Sequence, residues 1–249
     1  MARYDFRSPR LYVADPLAPG AEITLEQQAA HYLRNVLRLK RGDQILVFNG
    51  RDGEWRATLS DGGRRAATLS IGDRIREQTA PCDLHYLFAP LKHQRLDYMV
   101  QKAVELGASL IAPVITQHVQ VARVNLDRMK ANAIEAAEQC GILNIPEIIA
   151  PVPFGRMIAD RQQDRLLIFC DEDAEVTDPV AALQAHRADK ARPLAVLIGP
   201  EGGFAADERA ALLRLPNVAR LALGPRILRA DTAAVAALTL VQAVLGDWR

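Results

Sequence analysis

Two glycine-containing loops have the residue types expected at a ligand-binding site. The first, IGPEGGF at residues 198–204, follows the apolar stretch PLAVLI, which predicts a β-strand. The second, ALGPRILRADTA at residues 222–233, also lies between a predicted strand and a predicted helix. Glycine lets a ligand approach the backbone closely, and open α/β sheets bind their ligands where strands end. The two loops therefore predict a ligand site at the end of a sheet.

Neither loop has the pattern that binds a triphosphate or a dinucleotide. The first loop fits neither G-x-x-x-x-G-K-S/T nor G-x-G-x-x-G, and it lacks the lysine and the hydroxyl that a triphosphate site needs. An NTPase and a dinucleotide-dependent enzyme are therefore disfavoured. A purely structural interpretation stays open, in which the glycines permit turn dihedrals, Asp231 caps the last helix and Arg229 is a surface charge.

The histidines and cysteines do not have the spacing of a metal site or a catalytic triad. The 5 histidines and 3 cysteines include no CxxC and no Cys/His pairing at metal-ligand spacing. We therefore predict no metal, and we interpret the cysteines as buried thiols. These residues are His31, His85, His93, His118, His186, Cys82, Cys140 and Cys170.

The composition is typical of a globular protein with one large or two smaller domains. The chain has 249 residues, of which 49% are hydrophobic and 24% are charged. No segment has the apolar length of a membrane span or of a secretory signal, so we predict no membrane association and a cytoplasmic location. Because the net charge is only +1, a nucleic-acid surface would have to come from local clusters. Two such clusters are present: Arg34, Arg38, Lys40 and Arg41, and then Arg226 and Arg229. A solvated helix face explains the first cluster about as well as RNA binding does.

Residues 1–72 predict a small, mostly β unit with one helix. Thr24 and Gln27 have capping-box spacing, and apolar residues at helical spacing then continue to Leu37, so we expect the helix to end near Arg38. QILVF, EWRATL and RAATLSI predict strands that are joined by the turns NGRDG and DGG. The expected result is a compact β-barrel. The polar stretch GDRIREQTAP contains the best candidate linker, which we place at residues 73–82.

From residue 83 onward the pattern changes to alternating strands and helices, which implies a parallel sheet with helices on its faces. Helices are predicted from Leu96 to a cap at Gly107, from about Asn125 to Cys140 and from about Ala206 to Leu213. The last segment, DTAAVAALTLVQAVLGDW, is apolar on nearly every side, so it should be buried in the core or against another subunit. The predicted strands are DLHYLFAPL, SLIAPVIT, PEIIA, RLLIFC, PLAVLI and VARLAL.

Taken together, the two loops resemble a known motif pair. IGPEGGF, followed further along the chain by LGPRILR-x-D/E-T and a terminal helix, is similar to the knot motifs of the SPOUT methyltransferases. Within this class the chain resembles the 16S rRNA (uracil(1498)-N(3))-methyltransferases over almost its whole length. The further matches, in order and spacing, are RLYV near Arg10, HYLRNVLRLKRGDQILVFNG, DYMVQKAVELGASLIAPVIT, and AIEAAEQCG followed by PEI.

This resemblance implies a fold, a reaction and partners. The fold is α/β, with an N-terminal PUA-like β-barrel that binds RNA at residues 1–72 and a C-terminal SPOUT domain with a deep trefoil knot at residues 83–249. The reaction transfers the methyl group of S-adenosylmethionine to N3 of the uridine at position 1498 of 16S rRNA, within the small ribosomal subunit, and the protein is a homodimer. The alternatives are a SPOUT enzyme that acts on another RNA or on a ribose 2′-hydroxyl, and a non-catalytic RNA-binding factor in ribosome assembly.

The resemblance also implies site residues, position by position. The cofactor is expected against the backbone of the two glycine loops, with the loop after Cys170 as a third wall. Arg229 is implied in electrostatic stabilisation or in orienting the uracil, and Asp231 is a candidate base. The candidate RNA contacts are Arg10, Arg34, Arg38, Lys40 and Arg226. The implied cofactor-binding residues are Cys170, Gly199, Pro200, Glu201, Gly202, Gly203, Leu223, Gly224, Ile227 and Leu228.

The chain departs from the family pattern at four places. Ile142 and His118 stand where the family often has arginine, and Asp231 stands where it usually has glutamate. The run HQR at residues 93–95 replaces a usual glycine-acid-basic run. Aspartate keeps the charge of glutamate but has a shorter reach. The loss of two arginines bears on RNA contacts rather than on the cofactor pocket.

Overall fold

A computed structural model of the chain describes residues 5, 7–61, 67–121, 123–187 and 192–248, without the side chains of Asp61 and His93. The structure divides into two compact units. The first comprises Met1–Ala80 with Ala137–Ile145, and the second comprises Pro81–Ala136 with Pro146–Arg249. The sequence does not indicate that residues 137–145 return to the first unit. The predicted DGG turn lies largely outside the described residues.

The first unit is built on a five-stranded sheet in the order β1-β3-β4-β5-β2. β1 pairs parallel with β3, and the other neighbours are antiparallel. The predicted strands QILVF and EWRATL are confirmed, but the described sheet is open between β1 and β2 and does not close into the expected barrel. The strands are β1 (Arg10–Tyr12), β2 (Glu22–Leu25), β3 (Gln44–Phe48), β4 (Glu54–Asp61) and β5 (Ala67–Arg76).

β5 continues further than the sequence predicts. Its first five residues alternate between buried and half-buried positions, and its last five are exposed or half-buried. The polar end still pairs with β4, because Arg74 lies opposite Trp55 and Arg76 lies opposite Glu54. Residues 73–76, four of the ten assigned to a linker, are therefore strand.

The helix of the first unit begins later than the capping-box spacing predicts. Thr24 pairs with Thr68 in the sheet, and α1 (Gln27–His31) begins after Glu26, which makes no side-chain cap. Strand pairing has overridden the local capping signal. The helix continues as one π-helical segment, Tyr32–Val36. It ends at Val36, close to the predicted end near Arg38, and Arg38 has a φ of 58°, the left-handed conformation that often follows a helix C-terminus.

A buried carboxylate organises the polar interior of the first unit. Glu54, whose side chain is 2% exposed, accepts hydrogen bonds from Arg10 Nε at 3.0 Å and from Arg76 Nε at 2.7 Å. Arg76 Nη2 also donates to the carbonyl oxygen of Gly141 at 2.9 Å, and the Tyr12 N–H donates to Glu138 Oε1 at 2.8 Å. These contacts attach residues 137–145 to the first unit.

The second unit contains a seven-stranded parallel sheet, as the alternating pattern predicts. The order is β12-β10-β11-β6-β7-β8, and β9 also pairs with β7. Each predicted strand is confirmed within a few residues at its ends. The strands are β6 (Leu84–Phe88), β7 (Leu110–Ile115), β8 (Glu147–Ile148), β9 (Val152–Pro153), β10 (Leu166–Cys170), β11 (Leu194–Ile198) and β12 (Val218–Leu221).

Helices cover the sheet of the second unit. Phe154, Met157 and Leu212 pack with buried side chains of β10 and β11 to form a core on one face. The last helix packs against α2, α5 and β11. The two short helices α4 and α5 are not predicted by the sequence. Among the described residues, no helix is both long and apolar enough to cross a membrane. The helices are α2 (His93–Glu105), α3 (Leu126–Cys140), α4 (Phe154–Asp160), α5 (Pro179–Gln184), α6 (Ala206–Leu213) and α7 (Ala230–Val244).

The predicted burial of α7 holds for one side of the helix. Ala237, Leu238 and Val241 are buried, whereas Val235 and Leu240 are only half-buried. Gln242 is fully buried, and its amide donates to the carbonyl oxygen of Leu106 at 2.7 Å. Hydrogen bonding therefore allows a polar residue inside an otherwise apolar interface.

We expect Glu54→Gln to destabilise the first unit by roughly 3 to 5 kcal/mol, because it leaves the buried guanidinium of Arg10 and the half-buried guanidinium of Arg76 without their shared negative charge. Urea unfolding followed by Trp55 fluorescence in a Trp248→Phe background measures this, since Trp55 is buried in the first unit. The control is Glu77→Gln, which removes the partner of Arg74 from a pair in which Glu77 is 73% exposed. It should cost less than about 1 kcal/mol. Small and equal losses of unfolding free energy in both variants would contradict the role of Glu54 as the shared partner of Arg10 and Arg76.

Candidate functional site

Three adjacent parallel strands bring the predicted site loops together. β10 lies between β11 and β12, with Phe169 opposite Leu197 and Cys170 opposite Leu221. Because the three strands run in the same direction, the loops that follow Cys170, Ile198 and Leu221 leave the sheet at one edge. The three walls predicted for the cofactor pocket are therefore neighbours.

The first glycine loop turns tightly over an aromatic cluster. The Gly203 N–H donates to the Pro200 carbonyl oxygen at 2.9 Å, and Gly203 has a φ of 72°. A Cβ at Gly199 would lie 2.9 Å from the Phe204 ring. Phe204 contacts Phe169 edge-on, with the ring centroids 6.1 Å apart. Packing of Phe204 therefore supports the loop at Gly199. At Gly203 the backbone is open, because a Cβ there would meet nothing within 4 Å.

Glu208 connects the first loop to the segment after β7. This buried carboxylate accepts the Ala205 N–H at 3.0 Å and the Gln117 N–H at 2.9 Å. His118 Nδ1 then lies 3.1 Å from the carbonyl oxygen of Gly203. His118, which replaces an arginine of the family pattern, therefore lies against the glycine loop. The sequence analysis missed Glu208, although an acidic residue in the first turn of a helix is a recognised signal.

The second loop presents exposed groups at the start of α7. Gly224 has a φ of 93° with open space around its Cβ position, and Ile227 is 94% exposed. Arg229, also exposed, is the N-cap residue of α7. Asp231 is therefore not the N-cap, in contrast to the structural interpretation of the sequence. It lies in the first turn, where the helix dipole favours a negative charge, and it accepts the Thr232 N–H at 2.8 Å.

Arg95 joins the two glycine loops, and the sequence analysis did not assign it a role. Its Nη1 lies 2.5 Å from Glu201 Oε1, and its Nε lies 3.9 Å from Asp231 Oδ2. Arg95 stands in the first turn of α2, where the helix dipole disfavours a cation. A positive charge at such a position is the sequence signal that could have indicated a carboxylate partner.

A cavity of about 630 Å³ borders the first loop, and such a volume suits a small-molecule ligand. It lies between the start of α2, residues 118–121 and the loop, and its lining includes Lys92, Arg95 and His118. Of the residues predicted to bind the cofactor, Pro200 and Glu201 line it. The cavity therefore borders only part of the protein backbone that is predicted to bind the cofactor.

The loop after β10, the third predicted wall of the cofactor pocket, begins with the protonated thiol of Cys170 and the hydrogen-bonded carboxylate of Asp171. Burial and the neighbouring Asp171 raise the pKa of the Cys170 thiol to about 12, so it is not a nucleophile at neutral pH. Although burial opposes ionisation of Asp171, hydrogen bonds from Arg209 and Arg220 lower its pKa. Asp171 thus fixes the loop to α6 and β12. The prediction of buried cysteines is wrong for Cys140, which is exposed, and Cys82 and Cys170 are half-buried.

A buried tyrosine lies beneath this edge of the sheet. Tyr86 on β6 is fully buried and stacks on Phe88 with ring centroids 5.0 Å apart. Burial raises its pKa well above the ordinary value, and negative charge on Cys170 or Asp231 adds to the shift. Within the described part of the chain its hydroxyl has no hydrogen-bond partner. The hydroxyl is therefore a neutral donor near the start of the third wall.

The predicted RNA contacts differ in accessibility. Arg38, Lys40 and Arg226 are exposed, and Arg34 is half-buried. The prediction that Arg10 contacts RNA is contradicted, because its side chain is 4% exposed and paired with Glu54. A phosphate contact would require breaking that buried ion pair. Among the residues that the structure describes, no three histidine, cysteine or acidic side chains are grouped so that they could hold a metal ion.

Comparison with known proteins gives consistent matches over both units. An RNA methyltransferase domain model matches residues 78–242, and a model of the PUA domain of RNA methyltransferases matches residues 25–72. A ribosomal RNA small subunit methyltransferase E from Rickettsia conorii is 30% identical over 234 residues, which is 94% of each chain.

Two solved structures are similar along nearly the entire chain. A methyltransferase from Legionella pneumophila with bound S-adenosylmethionine has a TM-score of 0.79 and 29% identity, and the match covers 97% of this chain and 99% of the other. A ribosomal RNA small subunit methyltransferase E from Neisseria gonorrhoeae, also bound to S-adenosylmethionine, has a TM-score of 0.82 and 25% identity, with 98% and 100% covered. The chain belongs to the RNA methyltransferase family that includes the ribosomal RNA small subunit methyltransferases E.

Proposed function

We propose that this protein transfers the methyl group of S-adenosylmethionine to N3 of the uridine at position 1498 of 16S rRNA, in the small ribosomal subunit. The observation that carries the proposal is that the two glycine loops follow β11 and β12, the parallel strands on either side of β10, and are joined there by Arg95. The cofactor in the two similar structures and the names of the relatives support it. A cytoplasmic location follows from such a substrate.

The loop residues fit this cofactor. Gly203 and Gly224 have positive φ values and open space at their Cβ positions, so a ligand can lie against their backbone. Ile227, at 94% exposure, offers an apolar surface to a purine ring. We assign cofactor binding to residues 199–203, to Leu223, Gly224, Ile227 and Leu228, and to the loop after Cys170. When bound, the cofactor supplies an electrophilic methyl group.

The charged residues at the start of α7 have complementary tasks. The N3–H of uracil is weakly acidic and must lose its proton before or during attack, so a base close to N3 accelerates the reaction. We propose Asp231 for this step, with its carboxylate oriented by Arg95. The exposed guanidinium of Arg229 would stabilise negative charge on the uracil oxygens. Correct alignment of acceptor and donor contributes the remaining acceleration.

The two domains have separate roles in this proposal. Residues 1–72 act as a PUA-like domain that binds RNA through Arg34, Arg38 and Lys40, with Arg226 as a contact on the second domain. Phosphate contacts of this kind position RNA without reading its sequence. Residues 83–249 form the SPOUT methyltransferase domain. We also propose a deep trefoil knot, because the two glycine loops resemble the knot motifs of this class, and the order β12-β10-β11 is compatible with it.

We also propose a homodimer. Val235 and Leu240 leave one side of α7 half-exposed, and Trp248, just after the helix, is 53% exposed. Pairing with a second copy would cover these apolar groups. A monomeric mass in light scattering at micromolar concentration would argue against it.

Methyl transfer from labelled S-adenosylmethionine to small ribosomal subunits that lack the modification tests the reaction. N3 methylation blocks the Watson-Crick edge, so we expect one new reverse-transcription stop at the target uridine. Label in a ribose or in transfer RNA would overturn the substrate assignment. Failure to label any RNA or to bind the cofactor would leave only a non-catalytic RNA-binding factor.

Gly224→Ala should weaken cofactor binding about tenfold, because the added methyl group occupies space in which the cofactor is proposed to lie. The left-handed conformation of alanine also costs roughly 1 to 2 kcal/mol of stability, with or without the cofactor. Isothermal calorimetry with S-adenosylmethionine measures this. Gly42→Ala is the matched control, since Gly42 has a φ of 90°, an equally open Cβ position and a place in the first unit. It should lose similar stability without losing affinity. Equal affinities for both variants would remove Gly224 from the pocket.

Asp231→Asn should lower the single-turnover rate by about 100-fold or more while the cofactor affinity stays within a few-fold, because a positioned base contributes factors of this size. Asp231→Glu should recover much of the rate, since glutamate keeps the carboxylate. A loss of thermal stability with an unchanged rate in Asp231→Asn would show that Asp231 only stabilises the start of α7.

A further inference from the structure

A second cavity of about 320 Å³ continues from the first. The two cavities share Leu91, Lys92 and Val121 in their linings. The second extends along the start of α2 to Asn125 and Met129 at the start of α3. Together they form one groove, which begins at the first glycine loop and leads away from it. We call this the α2–α3 groove.

The charges along the groove are unbalanced. Its lining contains two carboxylates, Asp97 and Glu201, and each already has an arginine partner. Arg128 Nη2 lies 2.6 Å from Asp97 Oδ2, and Arg95 contacts Glu201.

Two further cations line the groove without such a partner. Lys92 and Arg123 are exposed, and among the described residues their side chains make no hydrogen bond or ion pair. Lys92 belongs to both cavities, and Arg123 belongs to the second. The positive charge of the groove therefore resides on these two side chains.

The lining also contains apolar side chains. Leu91, Leu96 and Met129 are buried beneath the groove, and Val121 is half-buried. Apolar surface combined with unpaired cations suits a single nucleic-acid strand, whose sugars and bases contact apolar groups while its phosphates approach the cations. A duplex presents mainly its phosphates outside the grooves, whereas a single strand also exposes its bases to apolar side chains, so a single strand matches this lining better.

We infer that the α2–α3 groove holds the RNA strand next to the target nucleotide, with phosphates at Lys92 and Arg123 and a neighbouring nucleotide in the second cavity. This rests on the proposed function, because the groove begins at the loop where methyl transfer would occur. The whole chain has a net charge of only +1, so it attracts RNA through such local features and not through its overall charge. The groove adds a substrate contact in the second unit to those proposed for the first.

The test uses the full-length protein loaded with S-adenosylmethionine and a fluorescein-labelled single-stranded RNA that contains the target uridine. In a salt series, Lys92→Ala/Arg123→Ala should reduce the slope of log affinity against log salt by about 1.4, since each lost single-strand phosphate contact contributes about 0.7. At ~0.1 M salt the RNA affinity should fall on the order of tenfold. Calorimetric affinity for the cofactor should not change.

Lys130→Ala/Arg214→Ala is the matched control. It also removes one lysine and one arginine, both exposed in the second unit and outside the linings of both cavities. The control should keep the salt slope of the unmodified protein. A second readout places 4-thiouridine beside the target uridine, and the cross-linked peptides should contain residues 91–96 or 118–125.

The outcomes separate the groove from the proposed function. If the Lys92/Arg123 variant keeps the wild-type slope and the cross-links map elsewhere, the groove assignment is overturned while methyl transfer can still be measured. If it binds free RNA normally but intact subunits weakly, the groove takes an acidic protein segment and the inference is wrong. If the unmodified protein neither binds RNA nor methylates it, the proposed function itself fails.

Discussion

Backbone hydrogen bonds of β10 to both β11 and β12 set the position of the entire candidate site. These bonds fix Phe169 opposite Leu197 and Cys170 opposite Leu221, so three loops from separate parts of the sequence leave the sheet side by side. The strands are buried and parallel, and a shift in their register would move apolar side chains out of the core. The packing energy of the sheet therefore also determines the geometry of the loops.

Carboxylates then connect these loops to their surroundings. Glu208 accepts two backbone N–H groups, one at the start of α6 and one after β7, and Asp171 binds arginines of α6 and β12. Arg95 extends the network to Glu201 and Asp231. Because losing a partner raises the free energy of a buried charged group, the contacts of Glu208 and Asp171 hold these loops in place.

Arginine has two different roles in this protein, and burial distinguishes them. Arg10 and Arg76 share the buried carboxylate of Glu54 and belong to the framework of the first unit. Lys92 and Arg123, by contrast, are exposed on a concave surface with no described partner. A cation whose charge is already compensated binds a phosphate only by giving up its partner, whereas an uncompensated cation needs no such exchange. Local charge balance is thus more informative about RNA contacts than the net charge.

The sequence alone determined the alternating elements of the second unit, its parallel sheet and the two glycine loops, because apolar periodicity and glycine placement are local properties. It did not determine the return of residues 137–145 to the first unit, the later helix start at Gln27 or the burial of Arg10. Each of these depends on partners distant in the chain, such as Thr68 for Thr24 and Glu54 for Arg10. Arg95 and the groove at Lys92 and Arg123 were likewise decided by tertiary structure, because only packing brings α2, the glycine loops and the start of α3 close enough for their charges to interact.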